Sequence, residues 1–296
     1  MPIGIQDYHT PATLDEALDL LGRYNGSSRV VGGGTDYFVD DARESGGQPP
    51  HALIDVTGLQ GWQEVRREGD HIVIGCGATH TRIVASPLVQ QGAAALMESC
   101  GLIGGPQVRN VGTLMGNIAH ALPAADGTLS LLALDGEVAV ATPGQALAWM
   151  PLAQAFRGPG KSAIDSTRQI LVAARFRPTG RSEGSAFARV MRPQGVALPI
   201  AGLACRVAVQ NGTIERAAIA AGPVAPTPFR AARTEAFLRG KPASADSLTE
   251  AIPVLLGECT LRTSPHRASA EYRREVLPAL LREAMTRALE RAARAA

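Results

Sequence analysis

Apolar residues recur along the chain with two different periods, and the changes between them divide it into elements. Leu14, Ala17, Leu18 and Leu21 fall at i, i+3, i+4 and i+7, one face of a helix, and predict a helix over 13–21. Thr13 and Glu16 stand three apart as a capping box, and Gly22 and Gly26 mark the exit. Short apolar runs at 29–31, 53–56, 71–75, 138–141 and 170–176 predict strands. Helical segments are expected at 81–85, 91–99 and 130–134. The polar run 177–182, with Pro178 and Gly180, is the linker. Beyond it, apolar runs at 196–209 and 214–220 and a helical block over 271–295 predict a second, smaller unit of mixed helix and strand.

One segment breaks the pattern. Residues 101–117 hold five glycines together with Gln107, Arg109, Asn110, Thr113 and Asn117, too polar for a core and too glycine-rich for a stable helix.

At 296 residues the chain has room for two domains and a sizeable core. A hydrophobic fraction of 45% and a charged fraction of 19% are globular values and exclude wholesale disorder. The net charge of +2 carries no footprint for nucleic acid or an anionic membrane. Lys161 and Lys241 are the only lysines among 29 basic residues, an arginine bias that reflects coding composition rather than chemistry. The run 196–209 is interrupted by Pro199 and Arg206 and is too short to span a bilayer. The N-terminus has no basic region followed by an apolar one, so no signal peptide is expected and a cytoplasmic location is. Cys76, Cys100, Cys205 and Cys259 are scattered without a Cys-x-x-Cys pair, and the six histidines are dispersed. No metal site or iron–sulfur cluster is expected on this chain.

Gly75-Cys76-Gly77-Ala78-Thr79-His80 follows a strand and imitates the opening of a dinucleotide fingerprint. Its sixth position is His80 and no acidic strand end follows about 20 residues on, so it reads as a tight strand-to-helix turn. Gly32-Gly33-Gly34-Thr35-Asp36 is more informative. Three glycines after a strand let backbone N–H groups converge on an anion, and Thr35 adds a hydroxyl. Read with 104–117 and with Asp126 shortly downstream, it fits a dinucleotide cradle. N–H groups and hydroxyls would take the pyrophosphate, and a carboxylate the ribose hydroxyls.

The pair Gly-Gly-Gly-Thr-Asp (32–36) and Gln-Val-Arg-Asn-Val-Gly-Thr-Leu-Met-Gly-Asn (107–117), with Pro123-Ala124-Ala125-Asp126, resembles the FAD-binding medium subunit of the molybdenum hydroxylases. This is the xanthine dehydrogenase and carbon monoxide dehydrogenase family. The resemblance covers nearly the whole chain. Tyr8 with 14–17 resembles the family's opening, 218–230 the start of its C-terminal domain, and 268–274 that domain's last helix.

The resemblance implies an α+β fold. A two-part FAD-binding domain, related to that of vanillyl-alcohol oxidase, would span 1–178 with its subdomain boundary near 57. A smaller α+β domain would span 179–296. It implies non-covalent FAD, with the pyrophosphate on Val31, Gly32, Gly33, Gly34, Thr35, Asp36, Tyr37 and Phe38 and on Thr113, Leu114, Met115, Gly116 and Asn117. Asp126 would hold cofactor hydroxyls, Ile103 and Leu171 would pack on the flavin, and Arg189 would lie near its ring. It implies no catalytic residue and no metal on this chain. The partners would be a molybdenum-cofactor large subunit and a small subunit with two [2Fe–2S] clusters, as a dimer of heterotrimers. Electrons would pass from those clusters to an external acceptor. A stand-alone flavin oxidase of the vanillyl-alcohol-oxidase type is the alternative, and a scaffold without flavin a third reading. Met115 stands where the family has glycine, and Arg189 where it has lysine. The cysteine-rich insertion of some relatives is missing.

Overall fold

The computed structural model describes residues 4–38, 49–192, 198–265 and 267–295. Val196 and Ala197, which open the expected run 196–209, and His266 lie outside the described residues.

The order is β1 (Asp7–His9), α1 (Leu14–Tyr24), β2 (Ser28–Val31), β3 (Ala52–Asp55), β4 (Val65–Glu68), β5 (His71–Gly75), α2 (His80–Ala85), α3 (Pro87–Gly92), α4 (Ala94–Gly101), α5 (Pro106–Val111), α6 (Leu114–Ala119) and α7 (Asp126–Ala133). It continues with β6 (Glu137–Ala141), β7 (Ala148–Pro151), β8 (Phe156–Gly158), β9 (Lys161–Ser162), β10 (Ile170–Phe176), β11 (Glu183–Met191), β12 (Pro199–Gln210), β13 (Thr213–Gly222), β14 (Phe229–Arg230), α8 (Ala232–Leu238), α9 (Ala245–Glu258) and α10 (Ala270–Arg294). The mixture of helix and sheet is the α+β class expected.

The capping box at α1 forms with one leg displaced. Thr13 Oγ1 accepts from the Glu16 N–H, but the Glu16 carboxylate takes the N–H of Ala12. The helix runs past Gly22 and ends on Asn25 in the left-handed region. The helix expected over 91–99 is two helices, because Ala93 leaves helical geometry between α3 and α4.

Four sheets hold the described strands: β1-β3-β2, parallel throughout; β4-β5-β10-β6-β7, antiparallel throughout; β8-β9; and β11-β12-β13-β14. The last is the C-terminal sheet. Its alternation is informative. Ala186, Ala188, Ala201, Leu203, Cys205, Ile219 and Ala221 face one core, built with Leu277, Leu281 and Met285 of α10. Phe187, Ala204 and Ala220, one step out of phase, belong to the other core, with Leu114, Leu129 and Val172. The sheet is therefore buried on both faces.

Charged groups pin the same junction. Glu98 of α4 accepts from the Phe187 N–H and pairs with Arg287 and Arg291 of α10. Arg230 pairs with Asp135 and Glu235 and donates to Leu132 O. The linker is fastened by Arg206, whose Nη1 and Nη2 donate to Arg177 O and Pro178 O and which pairs with Glu183 at 2.5 Å.

Candidate functional site

Two segments some eighty residues apart meet here. The first leaves β2 at Val31 and crosses Gly32, Gly33 and Gly34. The contact is so close that a Cβ on Gly33 would lie 1.9 Å from Val111 O, and one on Gly32 2.8 Å from Thr113 Oγ1. Gly34 has φ +68°, which a residue with a side chain adopts only at a cost. Part of this glycine run is thus consumed by loop-on-loop packing.

The second segment, expected to be too glycine-rich for helix, forms two six-residue helices set end to end. Gly105 caps α5 and Gly112 ends it, so of the segment's later glycines only Gly116 lies inside a helix, within α6. Thr113 is the N-cap of α6, its Oγ1 accepting from the Gly116 N–H at 3.0 Å. The turn before α5 is held by Arg109, which donates to Ile103 O at 3.1 Å and to Gly104 O at 2.8 Å. His80 lies beneath, its N–H bonded to Gly112 O and its Cδ2 3.4 Å from where a Gly112 Cβ would be. Burial, with the Arg109 charge adding to it, drops the His80 imidazole to about 4, so it is neutral at neutral pH.

Asn117 connects this region to α7. Its Oδ1 accepts from both the N–H and the hydroxyl of Thr128, satisfying a first-turn donor of that helix. Asp126, at the start of α7, and Arg189, on β11, form an ion pair with each side chain only 3% exposed. Arg189 also donates to Leu102 O at 2.6 Å, which ties it to the segment carrying Ile103. Burial outweighs the attraction of Arg189 and pushes the Asp126 carboxyl up to about 6. Its Oδ1 has no hydrogen-bond partner among the described residues.

The sequence-derived residues therefore fall into two connected groups. Gly32, Gly33 and Thr35 meet Val111, Gly112 and Thr113, with Leu114 to Asn117 following in α6, and Asp36 approaches His120 at 3.6 Å. Tyr37 stacks edge-on with Phe38, which is exposed. Ile103, Asp126 and Arg189 form the second group. Leu171 stands apart. It is buried in the main core on β10, beside the β-bulge there, and reaches the site only in that α6 packs against its strand. Met115 is helical and buried in the same core. A side chain at this position faces the interior, where it fits without strain.

Sequence reasoning left out Arg109 and His80 as parts of the site. Arg109 was visible as a lone cation five residues after Gly104, the spacing that lets one turn of helix fold it back onto the turn carbonyls. His80 carried no signal beyond its place at the end of Gly75-Cys76-Gly77-Ala78-Thr79. That motif is the expected strand-to-helix turn, with Thr79 capping α2.

The residues present fit a flavin dinucleotide. A side-chain-free segment faces a capped helix start, and a buried carboxylate keeps one oxygen idle where a hydroxyl donor would satisfy it. Comparison with known proteins agrees. Residues 3–176 match the family model described as the FAD binding domain in molybdopterin dehydrogenase, and residues 185–288 match the CO dehydrogenase flavoprotein C-terminal domain. The chain is 28% identical to the putative xanthine dehydrogenase FAD-binding subunit of Escherichia coli K12, over 95% of each chain. It is 27% identical to the carbon monoxide dehydrogenase medium chain of Hydrogenophaga pseudoflava, over 97% of this chain and 98% of that one. A solved carbon monoxide dehydrogenase from Hydrogenophaga pseudoflava superposes with a TM-score of 0.89 at 26% identity, covering 97% of this chain and 98% of the other. Two family models covering most of the chain, on a fold and a site that suit the cofactor, establish that this protein belongs to the FAD-binding medium subunits of the molybdenum hydroxylase family, which are oxidoreductase flavoproteins.

Proposed function

We propose that this chain relays electrons within a larger dehydrogenase, receiving them from [2Fe–2S] clusters of a small partner subunit and passing them to an external acceptor. A molybdenum-cofactor large subunit would oxidise the substrate, and the assembly would be a cytoplasmic dimer of heterotrimers. Among the described residues no helix is long and apolar enough to cross a membrane. The flavin-binding part would comprise 1–178, divided near 57, and the C-terminal part 179–296.

The observation that carries this reading is the meeting of residues 32–35 with 111–113, together with the buried Asp126–Arg189 pair. Bound FAD supplies a carrier that exchanges electrons singly with iron–sulfur clusters and in pairs with other acceptors. The chain's own residues do the positioning. Backbone N–H groups of 32–35 and the Thr113 hydroxyl would hold the pyrophosphate, the backbone of Leu114, Met115, Gly116 and Asn117 forming the facing wall while the Leu114 and Met115 side chains stay in the core. The idle oxygen of Asp126 would accept from a cofactor hydroxyl. Arg189 would place a fixed positive charge at the ring and favour its reduced, anionic state. Ile103 and Leu171 would bound the ring's apolar side, and Tyr37 and Phe38 the outer end.

Acid precipitation of the purified chain should release all its flavin, since the first glycine segment has no histidine to bond it covalently. Co-expression with the two partner subunits should give a complex containing molybdenum, iron and FAD, in which substrate bleaches the flavin. Bleaching of the lone chain's flavin by a purine, aldehyde or N-heterocycle would instead make it a stand-alone oxidase.

A further inference from the structure

Among the described residues, a group of arginines that no carboxylate contacts gathers at one end of the C-terminal sheet. β12 begins at Pro199 and β13 stops at Gly222. The strands run antiparallel with Gly202 opposite Gly222, so these two termini share one end of the ladder. Arg267 donates to Pro199 O at 3.5 Å, and Arg273 of α10 donates to Pro223 O. Arg189 lies opposite Gly202 on the neighbouring strand, and Asp126 Oδ1 would be 3.5 Å from a Cβ on Gly202. Arg262 stands close enough that its charge bears on both Arg267 and Arg273.

Their burial is graded. Arg262 is exposed, Arg267 is half-buried, and Arg273 is 0% exposed. Nε and Nη2 of Arg273 have no partner among the described residues. Among those residues none of the three arginines pairs with a carboxylate. Glu271 is engaged with Ser269 at the start of α10. A buried guanidinium with idle donors is costly unless something satisfies it. With Arg189 included, four guanidinium groups gather at this end of the sheet, and the charges of Arg189 and Arg267 bear on the Asp126 carboxylate. That excess suits a multiply charged oxyanion better than a single carboxylate, and planar guanidinium donors match phosphate oxygens.

We propose that Arg262, Arg267 and Arg273 form a phosphate site entered from the surface past Arg262, adjoining the Asp126–Arg189 pair. The phosphate is either free inorganic phosphate or the diphosphate of a nucleotide electron acceptor. Only this second source rests on the electron-relay reading.

The test is calorimetric titration of the full chain, purified with its flavin, with inorganic phosphate against chloride at matched ionic strength. Saturable phosphate binding is expected. Arg267→Gln should weaken it about 10- to 100-fold, the loss of a charge-assisted hydrogen bond. Arg262→Gln should weaken it less, with thermal melting of both variants near the wild type. Arg273→Lys keeps the charge while removing the fork and should also weaken binding. ADP-ribose displacing phosphate assigns the site to a nucleotide, and phosphate binding without displacement assigns it to the free ion. No phosphate binding beyond chloride, or binding unchanged in Arg267→Gln, overturns the proposal. Flavin absorbance read in the same samples keeps the two readings separate, because a chain that binds phosphate but no flavin would sink the relay reading alone.

Discussion

Between Val31 and Thr35 the chain holds its shape by lacking side chains, and between Gly104 and Asn117 it does so by means of them. In the first segment, backbone lies directly on backbone, with the Gly33 Cα pressed towards Val111 O. In the second, Arg109 fastens a turn, Thr113 caps a helix and Asn117 caps the next. The difference teaches where each can vary. The first tolerates no added atom, whereas the second accommodates Met115 because its short helix turns that residue into the core.

Gly33→Ala is the most damaging way to probe this contrast. With backbone rather than a movable side chain in the way, the loops must part. We expect a loss of about 3 kcal/mol, at the upper end of overpacking costs, and chain purified without flavin. Retained flavin and an unchanged melting temperature would remove the close-approach argument. Arg109→Ala should come next. It frees two carbonyls from a charged donor, at about 1.5–3 kcal/mol in chemical denaturation, with flavin bound more weakly. An effect below about 0.5 kcal/mol would mean that the turn at Gly104 holds itself. Thr113→Ala removes the cap and should cost about 1 kcal/mol, with Thr113→Ser recovering most of it. If Ser recovers stability but not flavin affinity, the methyl group rather than the hydroxyl serves the cofactor. Met115→Leu should be the mildest change, less than about 1.5 kcal/mol with the flavin spectrum unaltered. A shifted flavin spectrum in this variant would place the Met115 side chain against the cofactor and erase the contrast.

What could be read from sequence divides along similar lines. The α1 face, the strands around 71–75 and 170–176, and the break in regular structure over 177–182 were legible because period, caps and breakers are local signals. The helices α5 and α6 were not, because counting glycines over 101–117 hides that Gly105 and Gly112 sit at helix ends, where they cost little, and only Gly116 lies within a helix. β11 went unrecognised because Ser185, Ala186 and Ala188 are too small for a clear apolar alternation, although both faces are buried. α8 and α9 were missed for want of a strong stripe. At the site, the glycine segments announced a ligand, but nothing local could tell that Gly33 serves Val111. Nor could it tell that Asp126 and Arg189, 63 residues apart, would share one buried pair.

The double-faced C-terminal sheet bears on how such chains recombine in evolution. The two family models meet between residues 176 and 185, which invites treating the halves as interchangeable parts. Yet Phe187, Ala204 and Ala220 belong to the interior of the first half. A chimaera spliced at the linker would inherit a foreign lining at three buried positions and, through Arg287 and Arg291, a foreign counter-charge for Glu98. Exchanges should succeed between relatives only when those positions travel with the first half, so the inheritable unit is defined by the faces of a sheet rather than by a cut in the chain.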